Sequence, residues 1–201
     1  MAGYGLEPVK NATGGSIRSN NFCDGNGYRI AATAPTAFFE GDLVSWSSGN
    51  IITDMGGASP GAVLGVFYGA EYQDNSSGDV KFVRSIPAST VAKAKFKAYV
   101  YDDPNCLFKM QADQTSTALT AANVGNNLAI VASPSGSTTT FKSGLVADSD
   151  TENTTATLPL VFLGSMQDDL GYTSAGTVMD ILVRINTHQY HMGTPGVTGI
   201  T

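Results

Sequence analysis

The stretch "TVMDILVRIN" near the end of the chain constrains the fold more than any other. Met179, Ile181, Val183 and Ile185 alternate with Asp180, Leu182 and Arg184. A period of two places the first set on one face of a strand, and helical spacing would scatter it. Similar but shorter signals recur along the 201 residues. "AKFKAYVYDD" sets Phe96, Ala98 and Val100 against Lys95, Lys97, Tyr99 and Tyr101. "SSGNIITD" has a Gly-Asn turn signal between residues of high strand propensity. "GAVLGVFYGAEYQD" is a continuous apolar run whose aromatic and β-branched content predicts a buried strand. Neither a long helix nor a βαβ rhythm is present. The expected fold is all-β: an antiparallel β-sandwich or barrel, jelly-roll-like or β-tulip-like, with at most one short helix and extended terminal arms.

Composition agrees. Ser, Thr and Gly supply 62 of the 201 residues, and charged residues only 14%. Ordinary soluble domains carry roughly 25% charge, so much of this exterior can lose water cheaply, as a subunit contact requires. The 42% of hydrophobic residues suffices for one substantial core. Residues 1–27, rich in Gly and Asn, read as an extended N-terminal arm. Residues 28–187 read as the β core, and residues 188–201 as an irregular tail. A short helix is predicted in "STALTAANVGNN", capped by Ser116 and closed by Gly125. The polar stretch "ADSDTENTT" reads as a loop.

Net charge is −6 with only eleven basic residues. Phosphate binding needs concentrated positive charge, so nucleic acid is not an expected partner. Alternation places Lys93, Lys95 and Lys97 on one face of a solvated strand edge. No basic amphipathic helix points to a membrane surface. The start "MAGYGLEPVKNATGG" has no apolar leader, and no run nears the roughly 18 residues that span a bilayer. The expectation is a soluble chain made in a cytoplasm. Cys23 and Cys106 stand 83 positions apart without a CxxC pair. Free, partly buried thiols are expected there, with a disulfide as the alternative.

Groups able to do chemistry are sparse. His188 and His191, three apart after a β-patterned strand, would point to opposite faces, which favours surface or interface roles over a shared metal. No G-x-S-x-G elbow, Walker loop or local cysteine signature occurs. "DSDTEN" at Asp148 opens like a calcium loop, but Asn153 stands where the turn needs Gly and Pro159 where it needs Glu. In "YVYDDPNCLFKMQAD", Asp103-Pro104-Asn105-Cys106 fits a type I turn, so this acid-rich segment reads as the corner of a hairpin. Three N-x-[ST] triplets, at Asn11, Asn75 and Asn153, carry no weight without a secretory leader. Trp46, Tyr68, Tyr72, Tyr99 and Tyr101 could form a sugar-stacking platform, but core packing and interface aromatics are the expected role. No catalytic residue, metal site or cofactor is expected.

The ordered fragments "PVKN", "YRIA", "FFEGDLV", "GAVLGVFYGAEYQD", "PAST", "KAYVYDDPNCLFKMQAD", "VGNNLAIVA" and "VRINTHQY" resemble a group of tailed-bacteriophage capsid decoration, or cement, proteins. The likeness runs from about Pro8 to Tyr190. It implies a non-enzymatic subunit on the outside of an icosahedral shell, a homotrimer whose partner is a major capsid protein of HK97 type. No contact motif comes with the resemblance. The apolar and aromatic residues of the two arms are therefore the expected contacts: Tyr4, Leu6, Pro8, Val9, Ile17, His188, Tyr190 and His191. A phage tail or tail-tube subunit and a carbohydrate-binding β-sandwich are the competing readings.

Overall fold

The computed structural model describes residues 3–23, 27–30, 37–47, 49–53, 62–73, 77–86, 96–131, 136–166, 172 and 174–191. Among the described residues, fourteen strands and a single 3-10 turn make up the regular structure. The expected all-β fold is the one adopted: one sheet closes fully into a five-stranded barrel, and a single bridge joins the ends of the second.

The first barrel runs β10 (Cys106–Ala112), β14 (Met179–Ile185), β13 (Leu160–Ser165), β11 (Asn127–Ile130) and β12 (Ala147–Asn153). It closes through a parallel pairing of Ala112 with Ala147; its other pairings are antiparallel. That closure uses only one end of β10. The rest of the edge is covered by β1 (Glu7–Asn11), paired antiparallel from Glu7↔Lys109 to Asn11↔Cys106. The N-terminal arm is therefore partly a barrel stave. The alternation read in β14 is realised, with Met179, Ile181, Val183 and Ile185 all facing the first core.

The second barrel runs β2 (Tyr28–Arg29), β9 (Phe96–Tyr101), β6 (Val63–Gln73), β4 (Leu43–Ser47) and β5 (Asn50–Thr53). A parallel bridge between Ile30 and Ile51 closes it. β7 (Val80–Val83) pairs with the far end of β6, and β3 (Phe38–Phe39) pairs with β8 (Ser85–Ile86). The β4–β5 hairpin turns through Gly49, whose φ of +76° is the left-handed conformation such turns need.

The two barrels share a wall. Val63 and Val66 of β6 join the first core, while Leu64 and Phe67 join the second. Leu43 and Val44 of β4 divide in the same way. A strand buried on both faces needs apolar residues at successive positions, which accounts for the unbroken run in "GAVLGVFYGA". At Gly65 the neighbouring strand β9 leaves no room, since a Cβ would lie 2.2 Å from the Tyr101 carbonyl oxygen.

Three expectations are corrected. The turn at Asp103–Cys106 forms, with the Cys106 N–H donating to the Asp103 carbonyl at 3.0 Å, but no hairpin results. β9 belongs to the second barrel and β10 to the first, so the turn is the crossing between them. "ADSDTEN" is strand β12, not a loop. Its polar side chains suit a strand whose outer face meets water, with Ala147 and Ser149 turned inward. The predicted helix shrinks to the 3-10 turn Ala121–Asn123. Asp150 takes the Ser116 and Thr117 N–H groups at 3.2 and 2.6 Å, and the Asn123 side chain takes the Thr120 N–H and hydroxyl. Ser116 therefore caps nothing. Lys93 and Lys95 lie outside the described residues, as do positions 192–201 of the tail and Asn75.

Candidate contact surface

The two terminal segments meet at the crossing between the barrels. Asn20 takes a left-handed φ of +57°, tolerable for Asn. Its N–H donates to the Val100 carbonyl at 2.8 Å, its Oδ1 accepts the Val100 N–H at 2.8 Å, and its Nδ2 donates to the Ala98 carbonyl. One asparagine thus imitates a neighbouring strand along β9. The chain then passes over Asp102, which is fully buried. Asp102 accepts from the Asn21 N–H (2.8 Å), the Asn21 amide (2.9 Å), the Phe22 N–H (3.0 Å) and the Tyr28 hydroxyl (2.6 Å). Four donors offset the cost of taking a carboxylate out of water.

From the other terminus, the chain beyond β14 bonds to β6. The Val63 N–H donates to the Thr187 carbonyl at 2.9 Å, and the Gln189 N–H donates to the Val63 carbonyl at 2.8 Å. His188 is buried between these bonds, 3% exposed. Its Nδ1 accepts the Tyr190 N–H at 3.1 Å, and its Nε2 has no hydrogen-bond partner among the described residues. Burial pulls the imidazole down to about 4. At neutral pH it is an uncharged wedge.

These constraints present an exposed aromatic pair. Phe22 is 53% exposed and lies 4.5 Å, centroid to centroid, from Tyr190, itself 39% exposed. Trp46, also exposed, packs edge-on against Tyr28 at 5.5 Å. Large rings held outward by buried polar anchors lose little conformational freedom on binding a partner. Such rings are the residues that dominate protein contacts.

The other expected contact residues divide. Leu6 is 2% exposed and belongs to the first core, so it is removed from the contact set. His188 is removed for the same reason; the residues after β14 fold inward to bond β6. Tyr4 is half-buried, its hydroxyl donating to Asp180 at 2.7 Å under the Lys109 ammonium. Pro8 lies in β1 opposite Phe108, and Ile17 packs against the first core. Val9, at the β1 bulge, and Tyr190 are both exposed. His191 is half-buried in a turn, its N–H donating to the His188 carbonyl, and the two imidazoles do not share a strand. Tyr4, Leu6 and Pro8 also border a recess of about 260 Å³ between β1 and the second barrel, walled by Glu40, Phe67 and Tyr101.

The sequence reading passed over Phe22, and it weighed Asp102 with Asp103 and Asn105 as oxygen donors to Ca²⁺ before assigning all three to turn chemistry. Phe22 was detectable as a lone large apolar residue in a Gly- and Asn-rich segment. Asp102 was hidden by its neighbours, which do form a turn. Asp103 serves that turn, its Oδ1 accepting the Asn105 N–H at 2.8 Å and its Oδ2 the Asn11 amide at 2.6 Å.

Cys23 and Cys106 are both free thiols, and burial pushes Cys106 up to about 12. Among the described residues no three His, Cys, Asp or Glu side chains are placed to hold a metal ion. Comparison with protein-family models, with curated proteins and with solved structures gives no match.

Proposed function

We propose that this protein is a virion decoration subunit that binds the outside of an icosahedral phage shell and cements neighbouring coat subunits. The observation that carries this reading is the Phe22–Tyr190 pair, where both terminal segments converge and are held by Asp102 and by the bonds of Thr187 and Gln189 to Val63 of β6. The two barrels share the β4 and β6 wall, and charged residues are only 14% of the chain, which suits adhesion. The partner is a coat protein of HK97 type, and a closed homotrimer multiplies modest contacts because the second and third arms dock at high effective concentration. The overall acidity suits a surface away from packaged DNA.

The test is binding to undecorated shells. Phe22→Ala together with Tyr190→Ala should lower occupancy sharply. Truncating one buried aromatic anchor typically costs about 2 kcal/mol, roughly 30-fold in affinity. Full occupancy by the double variant would refute the assignment of this pair. A tail-tube subunit would instead stack into rings in solution, visible by electron microscopy of the purified protein.

A further inference from the structure

A separate aromatic group stands on the outer wall of the second barrel. Phe82 of β7 lies opposite Glu71 of β6, Glu71 opposite Lys97 of β9, and Lys97 opposite Arg29 of β2. Directly opposed residues share a face. One row thus crosses four strands, roughly 14 Å at the usual strand spacing, and carries ring, carboxylate, ammonium and guanidinium in turn. Tyr99, two residues from Lys97, joins this face opposite Gly69. A Cβ on Gly69 would lie 2.4 Å from Phe82 Cζ, so the Phe82 ring rests on the glycine. That ring sits 6.0 Å from Tyr99 and 5.7 Å from Tyr68, with Tyr101 5.3 Å beyond Tyr68. Lys97 Nζ lies 5.4 Å above the Tyr99 ring, and the Tyr99 hydroxyl donates to Glu71.

The fold does not explain two features of this row. Arg29 and Lys97 face each other directly, an arrangement that destabilises a sheet, and the one carboxylate in the row is shared with Tyr99. Phe82 is 47% exposed although its position is so closely fitted. On a chain of net charge −6 this row sets two cations beside exposed rings. A ligand with apolar ring faces, hydroxyls and carboxylates would meet every group. Its C–H faces would stack on Phe82 and Tyr99, its carboxylates would pair with Arg29 and Lys97, and its hydroxyls would reach Glu71. A plain polyanion has no use for the rings, and a neutral sugar has none for the cations.

We infer that this wall binds an acidic, carboxylate-bearing polysaccharide, an activity beyond shell adhesion and carried by different residues. Calorimetric titration with a galacturonic acid hexamer tests it, with maltohexaose and hexaglutamate as comparison ligands. The galacturonate hexamer should bind, more weakly as salt rises. Phe82→Ala and Arg29→Gln should each weaken it about tenfold or more, while the Phe22/Tyr190 double variant should bind it normally. Arg29 is exposed, so its variant is informative even if Phe82→Ala does not fold. Absence of hexamer binding would overturn the inference, as would equal binding of maltohexaose. So would hexaglutamate binding that matches the hexamer, or hexamer binding indifferent to both substitutions. Loss of shell binding alone would leave it standing.

Discussion

Two buried ionisable residues set opposite demands on pH. Burial raises Asp42 from 3.8 to about 6, against hydrogen bonds from the Ser143 hydroxyl and the Phe39 N–H that favour its charge. The folded state therefore holds the Asp42 proton more tightly than the unfolded chain. Its contribution is full below pH 3.8 and is lost as pH rises through about 6. His188 is depressed by burial from 6.5 to about 4, so the unfolded chain takes its proton first. That contribution is full above pH 6.5 and is lost as pH falls through about 4. Each spans about two pH units, or ~3 kcal/mol at ~1.4 kcal/mol per unit, and the slopes oppose. Asp42→Asn should therefore lose stability between pH 6.5 and 4, whereas His188→Gln should gain it, as read from urea midpoints. Parallel profiles for the two variants would contradict this assignment. Neither burial was legible in the sequence, because both residues sit beside turns where a polar side chain normally meets water.

At the level of elements, the alternating and continuous apolar runs were readable and are strands β14, β9 and β6. Pairing was not. The hairpin expected across Asp103–Cys106 fails because strand membership depends on contacts remote in sequence, such as Leu107 with Arg184 and Phe108 with Val183. The N-terminal segment is the clearest case. Its Gly and Asn content reads as a free arm, yet Gly3 and Gly5 are there for close approach. A Cβ on either would come within 2.5 Å of Val146 or Ser143. Beyond them Leu6 fills the first core and β1 covers the edge of β10. Leu6→Ala should therefore cost ~2–5 kcal/mol, measured by urea denaturation. Removal of residues 2–11 should speed amide exchange in Cys106–Lys109 by exposing that edge. Unchanged stability and exchange would mean that β1 is an ornament to the barrel. Deleting the whole arm thus perturbs folding as well as adhesion, and for that reason the side-chain pair Phe22 and Tyr190 is the sharper probe of binding.

For the whole molecule, β4 and β6 contribute to both cores, so neither barrel can lose its wall alone. Unfolding should be one cooperative transition. Fluorescence of Trp46, the one tryptophan and a residue of the second barrel, should follow the same urea curve as far-UV circular dichroism of the whole chain. Separated curves would show that the barrels unfold independently. The shared wall also bears on function, since β6 carries both the Val63 bonds beneath Tyr190 and the Glu71 position of the Phe82 wall. Composition indicated only a surface that loses water cheaply, and the resemblance brought no contact residues; the proposed site lay beyond both, because residues near the two ends of the chain meet there over the buried Asp102. A three-dimensional reconstruction of the mature phage particle is the most direct measurement. Double-barrel density is expected outside the shell at three-fold positions, with Phe22 and Tyr190 turned toward coat protein. Its absence from the outer shell, or its presence only within the tail, would contradict it.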